Sequence, residues 1–240
     1  MPVEILTLNA DLYLKSWASQ GEAAWNAIWD EIQPRIEEGA VAVLQEMPYH
    51  ADAGKDHFMK IVNKDLNAYD VLYRVELAEQ KLTNLIVAKP NKIKNAQGVE
   101  IVSGRANRFV PFQINVDDEW FDALAIHAHG GAEEVTEKLT ELAGRQFKPQ
   151  LIIGDFNAGK GINNQTGCAT YEKMLQDYSL DDACDINGEE LATFTAGTPI
   201  DHILYRRDGD LLADPATIIR EPNELSDHAL ISCNIKRPQQ

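Results

Sequence analysis

Long apolar runs, paired cysteines and positive charge are all scarce in this 240-residue sequence. The longest apolar stretches, such as Leu151-Ile152-Ile153, are far too short to cross a bilayer, so no membrane-spanning segment is expected. The N-terminus opens on the strand-like Val3-Glu4-Ile5-Leu6-Thr7-Leu8 with no basic leader before an apolar run, so no signal peptide is expected. Cys168, Cys184 and Cys233 show neither paired spacing nor a zinc-like cluster. An odd count of this kind fits reduced structural thiols and a cytoplasmic setting.

Charge is the strongest of these biases. Lys and Arg number 22 against 38 Asp and Glu, a formal net charge of -16. Tight nonspecific binding to duplex DNA rests on cations neutralising phosphates, and this balance opposes it unless basic residues gather locally. Candidate gatherings are Lys81, Lys89, Lys92 and Lys94, then Arg105 and Arg108, then Arg206 and Arg207. Solvated surface charge is the ordinary reading for most of them.

What is present suits a globular chain. Apolar residues make up 44% and charged ones 25%, enough for a substantial core, and no linker divides residues 1–240, so a single domain is expected. Compact apolar runs alternate with helical patterns, the signature of an α/β protein. Ser19-Gln20-Gly21-Glu22 reads as a capping box. Trp25, Ile28, Trp29, Ile32 and Ile36 follow on one helical face, with Pro34 expected to end or kink the helix. Ala40 to Leu44 has the continuous apolar character of a strand buried on both faces. Further strands are expected at Asp70 to Val75, Thr83 to Ala88, Glu100 to Val102, Arg108 to Val116, Phe121 to Ile126, Gln150 to Ile153, Ile200 to Tyr205 and Ala229 to Ile235. A second helix is expected from Glu133 to Leu142.

Strand after strand ends in Asn, Glu, His or Asp. Open α/β sheets place ligand sites beyond strand ends, where loops converge on a rigid frame. Glu46 follows a buried run, where a lone carboxylate is costly to desolvate and where a hard cation would offset that cost. An exposed loop glutamate is an equal reading of that position taken alone. Gly154-Asp155-Phe156-Asn157 is more specific: Asp155 can orient or deprotonate a water, and Asn157 can hold a phosphate oxygen without adding charge, while an Asp/Asn turn that bonds its own backbone is the structural alternative. In Ser226-Asp227-His228 the pair can supply a metal ligand or a charged donor, although an isolated His is more often surface or core, and Asp201 in Pro199-Ile200-Asp201-His202 supplies the carboxylate that His228 would need to fix its tautomer. His202 reads as structural. His127 after the Phe121 to Ile126 strand can donate to a leaving or non-bridging oxygen, with His129 as its competitor. Asn9, ending the first strand, can position a phosphate or support Glu46, and an Asx turn explains it equally well.

Together, Leu8-Asn9, Leu44-Gln45-Glu46, Ile126-His127, Gly154-Asp155-Phe156-Asn157, Ile200-Asp201-His202 and Ser226-Asp227-His228 resemble, in order and over nearly the whole chain, the motifs of the endonuclease/exonuclease/phosphatase superfamily. The resemblance implies a four-layer α/β sandwich of two packed mixed β-sheets flanked by helices. It implies a phosphoesterase using Mg²⁺, or alternatively Mn²⁺, with Glu46, Asn9 and Asp227 at the metal. Asp155, Asn157, His228, His127 and Asp201 would be catalytic. The family often places phosphate-contacting residues where Arg105 and Arg108 stand, and Arg105 is the candidate substrate contact, although a surface role suits both equally. In the DNase-like branch His127 would have a carboxylate partner, for which Glu76 and Glu79 are candidates. The expected substrate is a phosphodiester in nucleic acid or a nucleotide-like molecule. A phosphomonoester of a small metabolite or lipid headgroup is the alternative, and a non-catalytic binding module a third reading. No protein partner is implied. Acidity and compact size argue against apurinic-site endonuclease activity.

Overall fold

The computed structural model describes residues 1–12, 20–48, 62–73, 82–99, 101, 108–160 and 165–238. Two sheets carry the fold. The first contains β1 (Val3–Asn9), β2 (Val41–Pro48), β3 (Asp70–Tyr73), β4 (Leu82–Ala88), β13 (Leu212–Ala213), β14 (Thr217–Arg220) and β15 (Leu230–Lys236). Their order is β13-β15-β1-β2-β4-β3, with β14 also on β15. The second contains β5 (Ile93–Asn95), β6 (Phe109–Val116), β7 (Glu119–His127), β8 (Leu151–Asp155), β9 (Leu180–Asp182) and β12 (Asp201–Arg206), ordered β5-β6-β7-β8-β12-β9. A small hairpin, β10 (Asp185–Ile186) and β11 (Glu189–Glu190), stands apart. Each sheet mixes one parallel pair, β1 with β2 and β7 with β8, into otherwise antiparallel neighbours.

Period-2 alternation sorts the side chains into three cores. Val3 and Ile5 of β1, Val41 and Val43 of β2, Ala123 and Ala125 of β7, Leu151 and Ile153 of β8, and Ile203 of β12 fill the space between the sheets. Their alternates Leu6, Leu8, Ala42 and Leu44 face the helix α1 (Gln20–Glu37), whose Trp25, Ile28, Ile32 and Ile36 cover the first sheet. Ile126, Ile152 and Leu204 face α2 (Gly131–Gly144) and α3 (Gln165–Asp177) on the far side of the second sheet. The layers therefore run helix, sheet, sheet, helix, the expected four-layer α/β sandwich. Burying each large aliphatic side chain contributes roughly 1.5–3 kcal/mol, so all three cores matter.

Several expectations need correcting in detail. Pro34 does not end α1, which continues to Glu37. It sits in the last turn, where its missing N–H removes only one helical bond and the buried Ile32 and Ile36 hold the turn down. Ser19 of the expected capping box and most of the Glu100 to Val102 strand lie outside the described residues. α3, β5, β9 to β11, β13 and β14 were not expected. The strands among them have two to four residues and little apolar alternation, and they are edge strands, a hairpin and additions to sheets already formed. Among the described residues no helix is long and apolar enough to cross a membrane. Cys168, Cys184 and Cys233 are free thiols, the last two buried.

Candidate active site

The inner faces of the strands change character toward one end. On β1 the inward series runs Val3, Ile5, Thr7, Asn9, passing from apolar to polar as the strand ends. Gln45 lies opposite Asn9 on β2, and its amide donates to the Thr7 hydroxyl at 3.0 Å. In the second sheet His127 pairs in register with Asp155, and Asp155 with Asp201, so three adjacent strands present an imidazole and two carboxylates in one row. His228 just precedes β15, which lies antiparallel to β1 with Thr7 opposite Ile231. Its place beside Asn9 follows from that register, and Ser226 ties it down: the Ser226 hydroxyl donates to the Asn9 carbonyl at 2.5 Å and accepts the His228 amide at 3.0 Å.

Two local backbone devices shape the row. The β2–β4 register shifts between Leu44 and Met47, and Glu46 takes a left-handed conformation with φ 53°. A bulge of this kind re-aims a side chain at a modest energetic cost. It turns the half-buried Glu46 carboxylate to within 3.3 Å of His127 Nε2. At Gly154, φ is 137° and a Cβ would lie 2.1 Å from the Ile126 carbonyl oxygen. Only glycine lets β8 approach β7 closely enough to put Asp155 beside His127.

Asp155 is the hub. Its Oδ2 accepts the Asn9 amide at 3.0 Å and lies 3.7 Å from His127 Nε2 and 4.0 Å from His228 Nε2. Its Oδ1 accepts the backbone N–H of Asn157 at 2.8 Å, an Asx turn that leaves Asn157 at φ 48°. Burial, then repulsion by Asp201, pushes the Asp155 carboxyl up to about 7, against the pull of His228 and the Asn9 and Asn157 hydrogen bonds. His228 Nδ1 faces both Asp201 oxygens, at 2.9 and 3.1 Å, and its ring packs edge-on to Phe194 with centroids 5.0 Å apart. Burial works against its charge, but Asp201, Asp155 and Asp227 lift it to about 9, so it is an imidazolium at neutral pH. Asp201 is held in turn by Thr193, whose hydroxyl oxygen accepts the Asp201 backbone N–H at 3.0 Å.

The Glu46 carboxyl is likewise pushed up by burial and by Asp11, against an Asn9 hydrogen bond and the charges of Arg108 and His228. Arg108 Nη1 lies 3.3 Å from both ring nitrogens of His127. An atom equidistant from both at that range lies over the ring rather than in its plane. The Arg108 carbonyl accepts the buried Asn84 amide at 2.7 Å.

The structure thus brings together Asn9, Glu46, His127, Asp155, Asn157, Asp201, Asp227 and His228. His129 is exposed, whereas His127 is buried beside Asp155. Arg105, Glu76 and Glu79 lie outside the described residues. Glu46 and Asp155 are the carboxylates that face His127 among the described residues. Asn9 shows a different posture from the expected ligand: its amide nitrogen donates to Asp155, and its Oδ1 already accepts the Asp11 N–H at 3.2 Å. Ser226, Thr193, Asn84 and Phe194 were not singled out for these supporting contacts.

Asp155, Asp201 and His228 offer ligand atoms within 4.8 Å of one another, a group able to hold a metal ion. Asp201 spends both oxygens on His228, however, and Asp155 has a donor on each of its own. Glu46 keeps 19% of its side chain exposed and Asp227 keeps 50%. An excess of carboxylates with oxygen donors still open to solvent fits a hard divalent cation.

No protein-family model and no curated protein matches the chain. Solved structures do match over its whole length. The endonuclease domain of TRAS1, a telomere-specific non-LTR retrotransposon, superposes with a TM-score of 0.68 at 18% identity, covering 100% of both chains. TDP2 of D. rerio, complexed with a single-strand DNA product, gives 0.66 at 13%, covering 98% of this chain and 99% of that one. An endonuclease/exonuclease/phosphatase from Bacteroides vulgatus gives 0.66 at 17%, covering 99% and 100%. The chain has the DNase I-like fold of endonuclease/exonuclease/phosphatase structures. At these identities the likeness speaks for the fold, and the chemistry must be argued from the side chains.

Proposed function

We propose that the protein is a divalent-metal-dependent phosphoesterase that hydrolyses a phosphodiester in nucleic acid or a nucleotide-like substrate. One observation carries this reading: Asp155 sits within 4.0 Å of two imidazoles, one ending β7 and one just before β15, with Asn9 and Asn157 fixing its two oxygens. That is the arrangement required to orient a water and meet the charge it creates on phosphorus.

Glu46 and Asp227 would hold the ion, with Asn9 orienting Glu46 and Asp155 rather than ligating. A bound Mg²⁺, or Mn²⁺, supplies a Lewis acid that polarises the phosphoryl oxygen. Asp155, raised to about 7, accepts the proton of the attacking water at Oδ2. Asn157 binds a phosphate oxygen as a neutral donor. His228, kept charged by Asp201, donates from Nε2 to the oxygens that gain charge in the transition state. His127, flanked by Glu46 and Arg108, donates to a non-bridging or leaving oxygen. Arg105 is retained as a candidate phosphate contact on the strength of its place in the sequence. A cytoplasmic setting remains part of the proposal.

The nucleic-acid preference draws on two structural neighbours, an endonuclease domain and a complex with single-strand DNA product. The net charge of -16 favours a second reading, a phosphomonoesterase of a small metabolite or lipid headgroup, which needs no extended basic track. A substrate panel tests both. Purified protein with Mg²⁺ should hydrolyse bis(p-nitrophenyl) phosphate and short single-stranded oligonucleotides, and EDTA should abolish both rates. Activity confined to monoesters would favour the second reading, and no metal-dependent turnover of any ester would refute both.

A further inference from the structure

Outside the row of site residues lies a second buried ionic cluster, on the opposite face of β12. Asp201 points between the sheets, and the next residue, His202, points outward with Leu204 into the core beneath α3. His202 and Asp182 are both wholly buried, with Nδ1 and Oδ2 2.8 Å apart. The other ring nitrogen, Nε2, lies 2.7 Å from the Ala158 carbonyl oxygen. Both partners are acceptors, so both nitrogens donate and the ring is an imidazolium. The Asp182 charge holds His202 at about 9 despite its burial.

The carboxylate is equally satisfied. Asp182 Oδ2 also accepts the Tyr171 hydroxyl at 3.0 Å, and Oδ1 accepts the Cys184 amide at 2.8 Å. Tyr171 and Phe156 close over the imidazole, with centroids 4.8 and 5.3 Å from it. Asp182, Cys184 and His202 offer ligand atoms within 4.8 Å of one another. A metal there would have to displace hydrogen bonds already made on both sides of the ion pair, so the cluster is complete without one.

A fully buried ion pair is a costly way to gain stability, since apolar residues of similar volume serve as well or better. Its geometry suggests another use. Ala158 directly follows Asn157, which takes a left-handed φ of 48° in its Asx turn with Asp155. The arc after β8 is tied at two points, to the residue before β12 and to β12 itself: Phe156 N–H to the Ile200 carbonyl at 2.8 Å, and His202 to the Ala158 carbonyl. These bracket Asn157. Gly159 adds to the closeness, because a Cβ there would lie 3.2 Å from His202 Nε2 and 2.1 Å from the Pro199 carbonyl oxygen.

We propose that His202, fixed by Asp182, is a positioning residue that clamps the Ala158 carbonyl and thereby holds the Asn157 amide at the phosphate. The value of Asn157 in this proposal rests on the phosphoesterase reading above, but its placement does not. Loss of the clamp leaves Asn157 present and misplaced, and displacements of about an ångström at a reacting group can cost up to about 10²-fold in rate.

The test pairs a structural readout with a kinetic one on the full-length protein. In ¹H–¹⁵N spectra, His202→Phe should shift the Asn157 to Lys160 amides and speed their hydrogen exchange, while the amides of β1 and β15 stay in place. With bis(p-nitrophenyl) phosphate and Mg²⁺, kcat should fall about tenfold or more, with KM within about twofold. In an Asn157→Ala background the same change should cost nothing further, which a general loss of stability would not mimic. If His202→Phe does not fold, His202→Gln and Asp182→Asn carry the same comparison through the milder loss of one partner each. Unmoved Asn157 amides in a folded variant, or losses that multiply with Asn157→Ala, would overturn the proposal. Absence of wild-type turnover of any phosphate ester would refute the phosphoesterase reading and leave the spectral arm to decide the clamp.

Discussion

His228 Nδ1 lies 2.9 Å from Asp201 Oδ2, joining the segment just before β15 of one sheet to the first residue of β12 in the other. The pair holds the charged ring in one orientation, with Nε2 directed toward Asp155. Asp201→Asn keeps the shape and removes the charge. The His228 ring should then titrate well below about 9, and kcat for a phosphodiester should fall on the order of 10²-fold. NMR titration of the imidazole with steady-state kinetics checks both. A ring still titrating near 9 in the variant would separate the two residues.

Rate should follow a bell in pH. The acid limb reflects Asp155, at about 7 without metal and lower when a cation is bound nearby, and the alkaline limb reflects His228 at about 9. Because these groups interact, each limb belongs to the pair. A kcat profile that climbs steadily through pH 10 would contradict the need for a charged His228.

The same values predict stability. The Asp155 carboxyl titrates higher when folded than its ordinary value of about 3.9, so its ionisation costs folding energy as pH rises from there toward 7. His228 has the same sign in a higher window: its contribution is complete below about 6.5 and is lost as pH rises past 9. Asp155→Asn should therefore raise Tm at pH 8 in EDTA and change it little at pH 4. Calorimetry at the two pH values tests the sign.

Glu46 pairs a left-handed backbone with a carboxyl pushed up by burial. Glu46→Gly relieves both, the backbone term being about 1 kcal/mol. The variant should melt higher than wild type without metal, while Mg²⁺ binding measured by calorimetry is lost. Unchanged Mg²⁺ affinity would move the metal site elsewhere.

Gly154 admits no side chain. A Cβ placed 2.1 Å from the Ile126 carbonyl, at φ 137°, combines overpacking of 1–3 kcal/mol with backbone strain of similar size. Gly154→Ala should lose about 3 kcal/mol or more in urea unfolding. A loss under about 1 kcal/mol would mean that β7 and β8 part more easily than their register implies.

Much of this was legible in the sequence because the fold concentrates its signals. The buried strands β1, β2, β7, β8, β12 and β15 carry apolar runs, and the row of polar residues starts where those runs stop. A motif such as Gly154-Asp155-Phe156-Asn157 shows its glycine openly, but not that the glycine exists for Ile126. Short edge strands such as β5 and β13 leave little alternation to read, and α3 has only Tyr171, Met174 and Leu175 as large buried side chains in its core cluster. The choice between His127 and His129 needed burial, which sequence spacing does not supply. Asn9 needed direction: a strand end says that an amide is near, not which of its atoms faces the carboxylate. The link between Ser226 and the Asn9 carbonyl, 217 residues apart, is tertiary in origin.

The most direct test compares wild type, Asp155→Ala and His228→Ala on one phosphodiester with saturating Mg²⁺. Each single change should lower kcat by about 10²-fold or more, and the double variant should be little worse than either alone, because the two act as one unit. Specific activity equal to wild type in both single variants, with folding intact, would contradict the account of the row from Asn9 to His228.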